Sequence, residues 1–405
     1  MRRRTLLCTA PLLLLAACAS HPPKSSPLPI SATLTTRLAP AQRVLDSAIT
    51  AGAAPGAVLA VSVKGERFVY GTGQLGVGDP ARPTGSTLYD MASLTKVIVL
   101  TTLSMQAVDE GKLDLDALVA QYLPDFARGT GEKLRVTVRD LLLHDSGLPA
   151  HRRLWQETLV RKGAILRTIT SDLEAPPGAR MVYSDLGAIT LTAILEKLYG
   201  ARVDQLFARK VGGPLGFHRM RYLPPKGWRG EIAPTENDPW RGHILRGEVH
   251  DENAGRLDGV SGHAGLFASA EDLLRFGEWA LAGARARSVP GALQPPREFA
   301  TWTVSQNHPT GSSRGLGWDT PSGESSAGSI MSARSFGHTG FTGTSVWVDP
   351  TREVVIVLLT NRVNPTRDTP KFGLIRPTVA DAVMRALFPE EPPREPAHPP
   401  RRSSN

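Results

Sequence analysis

The amino-acid sequence predicts a mixed α/β (α+β) protein: one antiparallel sheet assembled from both ends of the chain and flanked by helices, with a mostly helical lobe inserted between them. Two observations predict it. Short β-type runs with turn punctuation lie near the start, at 57–63 and 67–70, and again after Trp302, at 315–318, 334–338, 344–348 and 354–360. Between these groups the apolar period lengthens to that of helices, and helix-start signals recur.

Taken in order, 38–51 has apolar residues at helical spacing, and Gly52 can stop that helix. Residues 57–63, rich in Val, Leu and Ala, the turn Lys64-Gly65 and the run 67–70 read as a hairpin. Asp79-Pro80 and the Pro, Gly and Thr residues up to Ser86 form a loop. Residues 94–110 are apolar on nearly all sides up to Gly111. Val97-Ile98-Val99 alone suits a strand, but a run this long without a breaker predicts a buried central helix. Thr137-Val138-Arg139-Asp140 is a capping box before Leu141, Ser184 or Asp185 can cap 186–199, and Ser269 caps the helix at 273–281. The stretch 224–265 is long and irregular, rich in Gly, His and Asn, a length typical of functional loops. A helix at 374–388 closes the domain. The expected division is an α/β part at 37–92 and 300–388 and a helical lobe at 93–299, with the active site in the cleft between them.

The chain of 405 residues, 41% hydrophobic and 21% charged, has ample material for a core. Its formal charge is +9, and removing Arg2, Arg3 and Arg4 leaves 9 − 3 = +6. The other arginines are scattered among acids, with no basic run interleaved with aromatics, so nucleic acid is not an expected partner. Arg2-Arg3-Arg4 precedes an apolar stretch at 5–17, too short to span a bilayer, so 1–17 reads as a signal peptide. Leu15-Ala16-Ala17-Cys18 resembles the lipobox of bacterial lipoproteins, which implies an acylated Cys18 as the mature N-terminus and anchorage to a membrane through that lipid. Ala19 in place of aspartate implies the outer membrane, facing the periplasm. Residues 18–36 are expected to be a flexible tether and the proline-rich 389–405 a disordered tail. The only other cysteine, Cys8, lies in the signal, which excludes a disulfide, a thiolate metal site or a cysteine nucleophile in the mature protein.

Chemistry is concentrated in a few patterns. Ser93 and Lys96 are three apart, so a helix starting near Ser93 puts both on one face. Burial disfavours an ammonium, and a neutral Lys96 can accept the serine proton. Downstream stand Leu141-Leu142-Leu143-His144-Asp145-Ser146-Gly147-Leu148-Pro149, Tyr183-Ser184-Asp185 and His338-Thr339-Gly340. Singly each has a plain structural explanation: Tyr183 as packing, Asp185 as a helix cap, Thr339-Gly340 as a strand end. Together and in this order they resemble the serine β-lactamase and penicillin-binding protein superfamily, in its class C-like branch, over about 38–388. The resemblance implies the β-lactamase/transpeptidase fold and an acyl-enzyme on Ser93. It also implies oxyanion donors at the amides of Ser93 and Phe341, and substrate contacts at Asp185, His338, Thr339, Gly340 and Phe341. Lys96 and Tyr183 would share the proton work, since a nearby ammonium favours a phenolate. No cofactor is implied.

Two residues depart from the family pattern. Asp185 stands where asparagine is common, and His338 where lysine is common, replacing a permanent cation with a group mostly neutral at pH 7. Both changes are expected to weaken the anchoring of a carboxylate beside the scissile bond and to disfavour penicillin hydrolysis. If Asp185 approaches Lys96, it holds that lysine charged and moves the base role to Tyr183. In the long loop, Glu248, His250 and Asp251, followed by His263, resemble a subset of the superfamily associated with cell-wall turnover, which implies contacts to sugar hydroxyls or the amide. Loop hydrogen bonds account for these acids and histidines more simply than a metal, and none is expected. The expected function is a serine hydrolase cleaving amide bonds of peptidoglycan fragments, as muropeptide amidase or peptidase. The alternatives are an esterase or weak class C-like β-lactamase, and a catalytically impaired penicillin-binding or sensor module. Oligomeric state is not legible.

Overall fold

The computed structural model describes residues 29–128, 131–157 and 159–394. The expected signal peptide, Cys18 and most of the tether and tail lie outside the described residues.

The described residues hold ten strands: β1 Gly56–Val63, β2 Glu66–Gly73, β3 Leu88–Asp90, β4 Arg221–Tyr222, β5 Asn237–Asp238, β6 His243–Ile244, β7 Leu266–Ser269, β8 Phe336–Thr339, β9 Ser345–Asp349 and β10 Val354–Thr360. The main sheet has the order β2-β1-β10-β9-β8 and is antiparallel throughout, so strands from the two chain ends meet at its centre, where Val58 pairs with Leu359 and Val61 with Ile356. Both faces are covered. Val58, Ala60, Val355, Val357 and Leu359 point into the larger core, shared with the helical lobe. Leu59, Val61, Val354, Ile356 and Leu358 point into the second, beneath the helices Ala39–Thr50 and Ile375–Leu387. Successive strand residues face opposite sides, so burial on both explains a continuous apolar run where a one-sided sheet would alternate.

Helix starts follow their caps. The Thr137 hydroxyl accepts the Asp140 amide while the Asp140 carboxylate accepts that of Thr137, Ser184 caps Asp185–Tyr199, and Ser269 caps Ala270–Ala284.

Several expectations are corrected. Residues 32–36, assigned to the tether, belong to the helix Ala32–Arg37, capped by Ser31 and seated by the buried Leu34. Residues 315–318 form no strand: Leu316 and Trp318 are core side chains, Gly317 takes a φ of 77°, and only Asp319 bridges to Gly337. The helix after Ser93 is buried as expected, but Lys96–Thr101 is wound as a π-helix before the α-helical Thr102–Asp109. The helix Ala270–Ala284, grouped by sequence order with the lobe, packs on β1, β9 and β10. A second sheet, β3-β7-β4, was not anticipated, and its first strand delivers the nucleophile turn.

Candidate active site

Ser93 follows β3 in a tight turn. The preceding Ala92 has a left-handed φ of 45°, a strained conformation for a residue with a side chain, and the Asp90 carboxylate fixes it by accepting the Ala92 amide at 2.8 Å. The helix that starts there brings Lys96 beneath the serine: its Nζ donates to Ser93 Oγ at 3.0 Å and to the His263 carbonyl at 3.3 Å.

Asp185 decides the charge state. Its Oδ1 is 2.7 Å from Lys96 Nζ, in a pair whose side chains are only 4% (Lys96) and 20% (Asp185) exposed. Burial works against the ammonium, but the attraction of Asp185, with Tyr183, outweighs it and holds Lys96 above the ordinary lysine range. Burial likewise opposes the carboxylate, yet Lys96 and then His151 hold Asp185 below the ordinary range. A neutral Lys96 base is therefore corrected: the amine is a cation donating to Ser93.

Tyr183 is carried by the segment that the Leu141–Pro149 motif cradles. The Val182 amide donates to the His144 carbonyl, the Ser184 hydroxyl to the Pro149 carbonyl, and the Ser184 amide to His144 Nδ1. The Tyr183 ring lies 4.5 Å from that of His144 and 5.9 Å from that of His338, centroid to centroid, with Lys96 Nζ 4.7 Å from its centre. Its hydroxyl is buried and has no hydrogen-bond partner among the described residues. Serine, ammonium and unpaired phenol thus converge, the arrangement expected for a nucleophile and its proton acceptor.

The third motif forms the edge strand β8 and the turn after it. His338 Nδ1 donates to the Thr339 carbonyl at 2.8 Å, while Nε2 is buried with no partner among the described residues. Burial above all, then the positive charges of Arg314 and Lys96, push His338 well below the ordinary histidine range, so it is neutral at pH 7 as expected. Gly340 sits where a Cβ would lie 2.2 Å from Thr344 Oγ1 and 2.5 Å from the Met91 carbonyl, so only glycine lets this turn close on the nucleophile loop. The Thr342 and Thr344 hydroxyls, donating to the carbonyls of Asp90 and Met91, tie turn to loop. The amides of Ser93 and Phe341 donate to no acceptor among the described residues, as two oxyanion donors require.

Ser93 opens on a cleft of about 1000 Å³, lined also by Tyr183, Asp185, Arg314, His338 and Phe341. Arg314, which sequence reasoning missed, lies on irregular chain with no motif to mark it. Its guanidinium is 5.4 Å from the Tyr183 ring centre and, among the described residues, its nearest paired carboxylate is Asp319 at 3.9 Å and its buried Nη1 has no hydrogen-bond partner. A cation therefore lines the cleft although His338 replaces lysine.

The loop residues divide. His250 lines the cleft, stacked on Phe341 with 5.7 Å between ring centres, but its Nε2 is 2.9 Å from Glu236 and its amide donates to Asp90. Asp251 also lines the cleft, yet caps the helix Glu252–Arg256 and sits 2.9 Å from His263 Nε2. Glu248 is half-exposed, pairs with His243 at 3.0 Å and does not line the cleft with His250 and Asp251. The loop's titratable groups mostly satisfy one another, which builds the wall that holds Ser93.

The profile of the family described as Beta-lactamase matches residues 41–380. A Salmonella typhi protein with the provisional name D-alanyl-D-alanine carboxypeptidase is 31% identical over 325 residues, covering 73% of this chain and 74% of that protein. Among solved structures, the fold is similar to EstCE1, a hydrolase with promiscuous acyltransferase activity (TM-score 0.70, 23% identity, 87% of this chain and 100% of that one). It is also similar to a penicillin-binding protein homologue from Caulobacter crescentus (TM-score 0.70, 20% identity, 87% and 98%).

Proposed function

The chain belongs to the beta-lactamase family of serine hydrolases, and we propose that it cleaves an amide bond in peptidoglycan-derived peptides, next to a free carboxylate, through an acyl-enzyme on Ser93. The observation that carries this reading is Arg314: a guanidinium with a buried, unpaired Nη1, beside His338 and Tyr183 on the cleft wall. An unmet charged donor in that place favours a substrate that brings an anion to it.

In this reading Ser93 Oγ attacks the carbonyl carbon and the oxyanion is received by the Ser93 and Phe341 amides. Lys96, already an ammonium, cannot take the serine proton. The Tyr183 oxygen, beside the charges of Lys96 and Arg314, accepts it as it hands a proton on to the leaving amine. Water then attacks the ester carbonyl by the same route in reverse, freeing Ser93. The provisional name of the Salmonella typhi relative agrees with a peptide ending in a free carboxylate. Lipidation of Cys18 and an outer-membrane position belong to the same proposal; incorporation of labelled palmitate that Cys18→Ser abolishes is its test.

The substrate is tested with a muropeptide-type peptide ending in D-alanyl-D-alanine and its C-terminally amidated twin, alongside Ser93→Ala. Release of D-alanine only by enzyme with Ser93, and about 10- to 100-fold faster from the free acid, is the expected result, the range of one charged hydrogen bond. Equal cleavage of both peptides, or turnover of a nitrophenyl ester alone, would refute it.

A further inference from the structure

The turn that supplies the Phe341 amide is held by two guanidiniums. Arg376, in the first turn of the helix Ile375–Leu387, donates from Nη2 to the Gly340 carbonyl at 2.5 Å and to the Thr344 carbonyl at 3.0 Å. Arg362 donates from Nε to the Phe341 carbonyl at 2.7 Å and from Nη1 to the Thr369 hydroxyl at 3.0 Å. Neither pairs with a carboxylate among the described residues, whereas Arg367 beside them is bound by Glu236 and Glu252.

The Gly340 carbonyl and the Phe341 N–H belong to one peptide group. A cation donating to the oxygen of an amide draws electron density from its nitrogen and makes the N–H a stronger donor, the cooperative effect that links successive hydrogen bonds. We propose that Arg376 is a positioning residue that polarises the Gly340–Phe341 peptide, so that the oxyanion formed on the substrate meets a strengthened donor at Phe341. This rests on the acyl-enzyme reading of Ser93.

Three features support it. The peptide is pinned at both ends, by the Gly340 amide donating to the Thr344 carbonyl and by the Thr342 hydroxyl donating to that of Asp90, so its dipole has a fixed direction. The Phe341 N–H has no protein acceptor among the described residues and is left for a ligand. Arg376 is poorly solvated: its Nε is buried with no hydrogen-bond partner among the described residues, and burial, then Arg362, push its guanidinium down to about 9, which leaves it charged at neutral pH. A cation screened so little acts strongly on the two carbonyl dipoles it touches, that of Gly340 among them. A lattice of neutral donors would hold the same turn. What the guanidinium adds is charge at the oxygen end of this peptide, in the wall of the cleft on which Ser93 opens.

The test labels Ser93 with a nitrophenyl ester carrying a 13C acyl carbonyl and records the carbonyl stretch of the acyl-enzyme by infrared difference spectroscopy. Wild type is compared with Arg376→Met and Arg376→Gln. With 10–30% cooperative strengthening of a donor worth 10²- to 10³-fold, loss of the charge is expected to slow acylation about two- to eight-fold at unchanged KM. In both variants the carbonyl band moves to higher frequency, because the acyl oxygen is held less strongly. A merely structural arginine would lower the melting temperature without moving the band in the folded fraction. If Arg376→Met fails to fold, Arg376→Gln, which keeps a donor but no charge, decides. Wild-type frequency and acylation rate in a folded neutral variant would overturn the proposal, while a wild type that Ser93 probes cannot acylate would overturn the Ser93 reading and this proposal with it.

Discussion

Replacing Asp185 with asparagine removes the counter-charge of Lys96 while keeping the side chain's volume. In the native protein the two charges lie 2.7 Å apart with the lysine almost fully buried. At an effective dielectric of about 20 their attraction is about 6 kcal/mol, part of which offsets the desolvation of both groups. Leaving a buried charge alone typically costs about 3–5 kcal/mol, and because Asp185 is partly exposed we expect the lower end, about 3 kcal/mol at pH 7. The pH dependence follows from the directions. Asp185 is held below its unfolded value, so its contribution is present above about pH 4 and fades as pH falls through the native value. Lys96 is held above its unfolded value, so its contribution is present below about pH 10 and fades as pH rises through the native value. The wild type therefore draws on the full pair across the neutral range. In Asp185→Asn burial acts on Lys96 against the pull of Tyr183 alone, and a new ionisation enters the alkaline side of the acylation profile. Urea titrations from pH 5 to 9 and the rate of Ser93 labelling over the same range measure both effects. A variant with wild-type stability and an unaltered profile would refute a charged Lys96 held by Asp185.

Tyr183→Phe deletes the unpaired hydroxyl and should slow acylation of Ser93 by about 10²- to 10⁴-fold with little loss of stability; near-normal turnover would remove the base role from Tyr183. Glu248→Gln should leave turnover unchanged and stability within about 0.5 kcal/mol by thermal melts, because that side chain lies off the cleft wall. Asp145 is pushed up to about 6, chiefly by burial, against a pull from His308. Between about pH 4 and that value the folded protein keeps a proton that the unfolded chain has released, so this site costs stability as pH rises through the window. Asp145→Asn should flatten the melting temperature across pH 4–7; an unchanged slope would count against it.

Much of the fold was legible because its signals are local. The period of β1 and β10 and the capping groups Thr137, Ser184 and Ser269 depend on a few neighbours each. Residues 315–318 misled because an apolar run packed into a core by Leu316 and Trp318 has the composition of a strand. The helix at 32–37 was missed because six residues around one buried leucine carry almost no periodicity. Within the site, Ser93, Tyr183 and His338-Thr339-Gly340 were legible through their order. The charge on Lys96 was not, because it depends on a distance to Asp185 that only the tertiary structure sets. Arg314 and Arg376 left no sequence signal at all, since an arginine is identified as unpaired only once its neighbours are known.

The central pairing of β1 with β10 also governs when activity can exist. Ser93 is made early in synthesis, while the Phe341 amide, the strands that hold it and Arg376 behind it come late, 376 − 93 = 283 residues after the nucleophile. A growing chain that has exposed Ser93 and Lys96 still lacks the Phe341 donor opposite them. Such long-range pairing closes slowly and only once the last strands are free to dock. A chain cut between Lys96 and β8 therefore contains its nucleophile but lacks the Phe341 half of the oxyanion site.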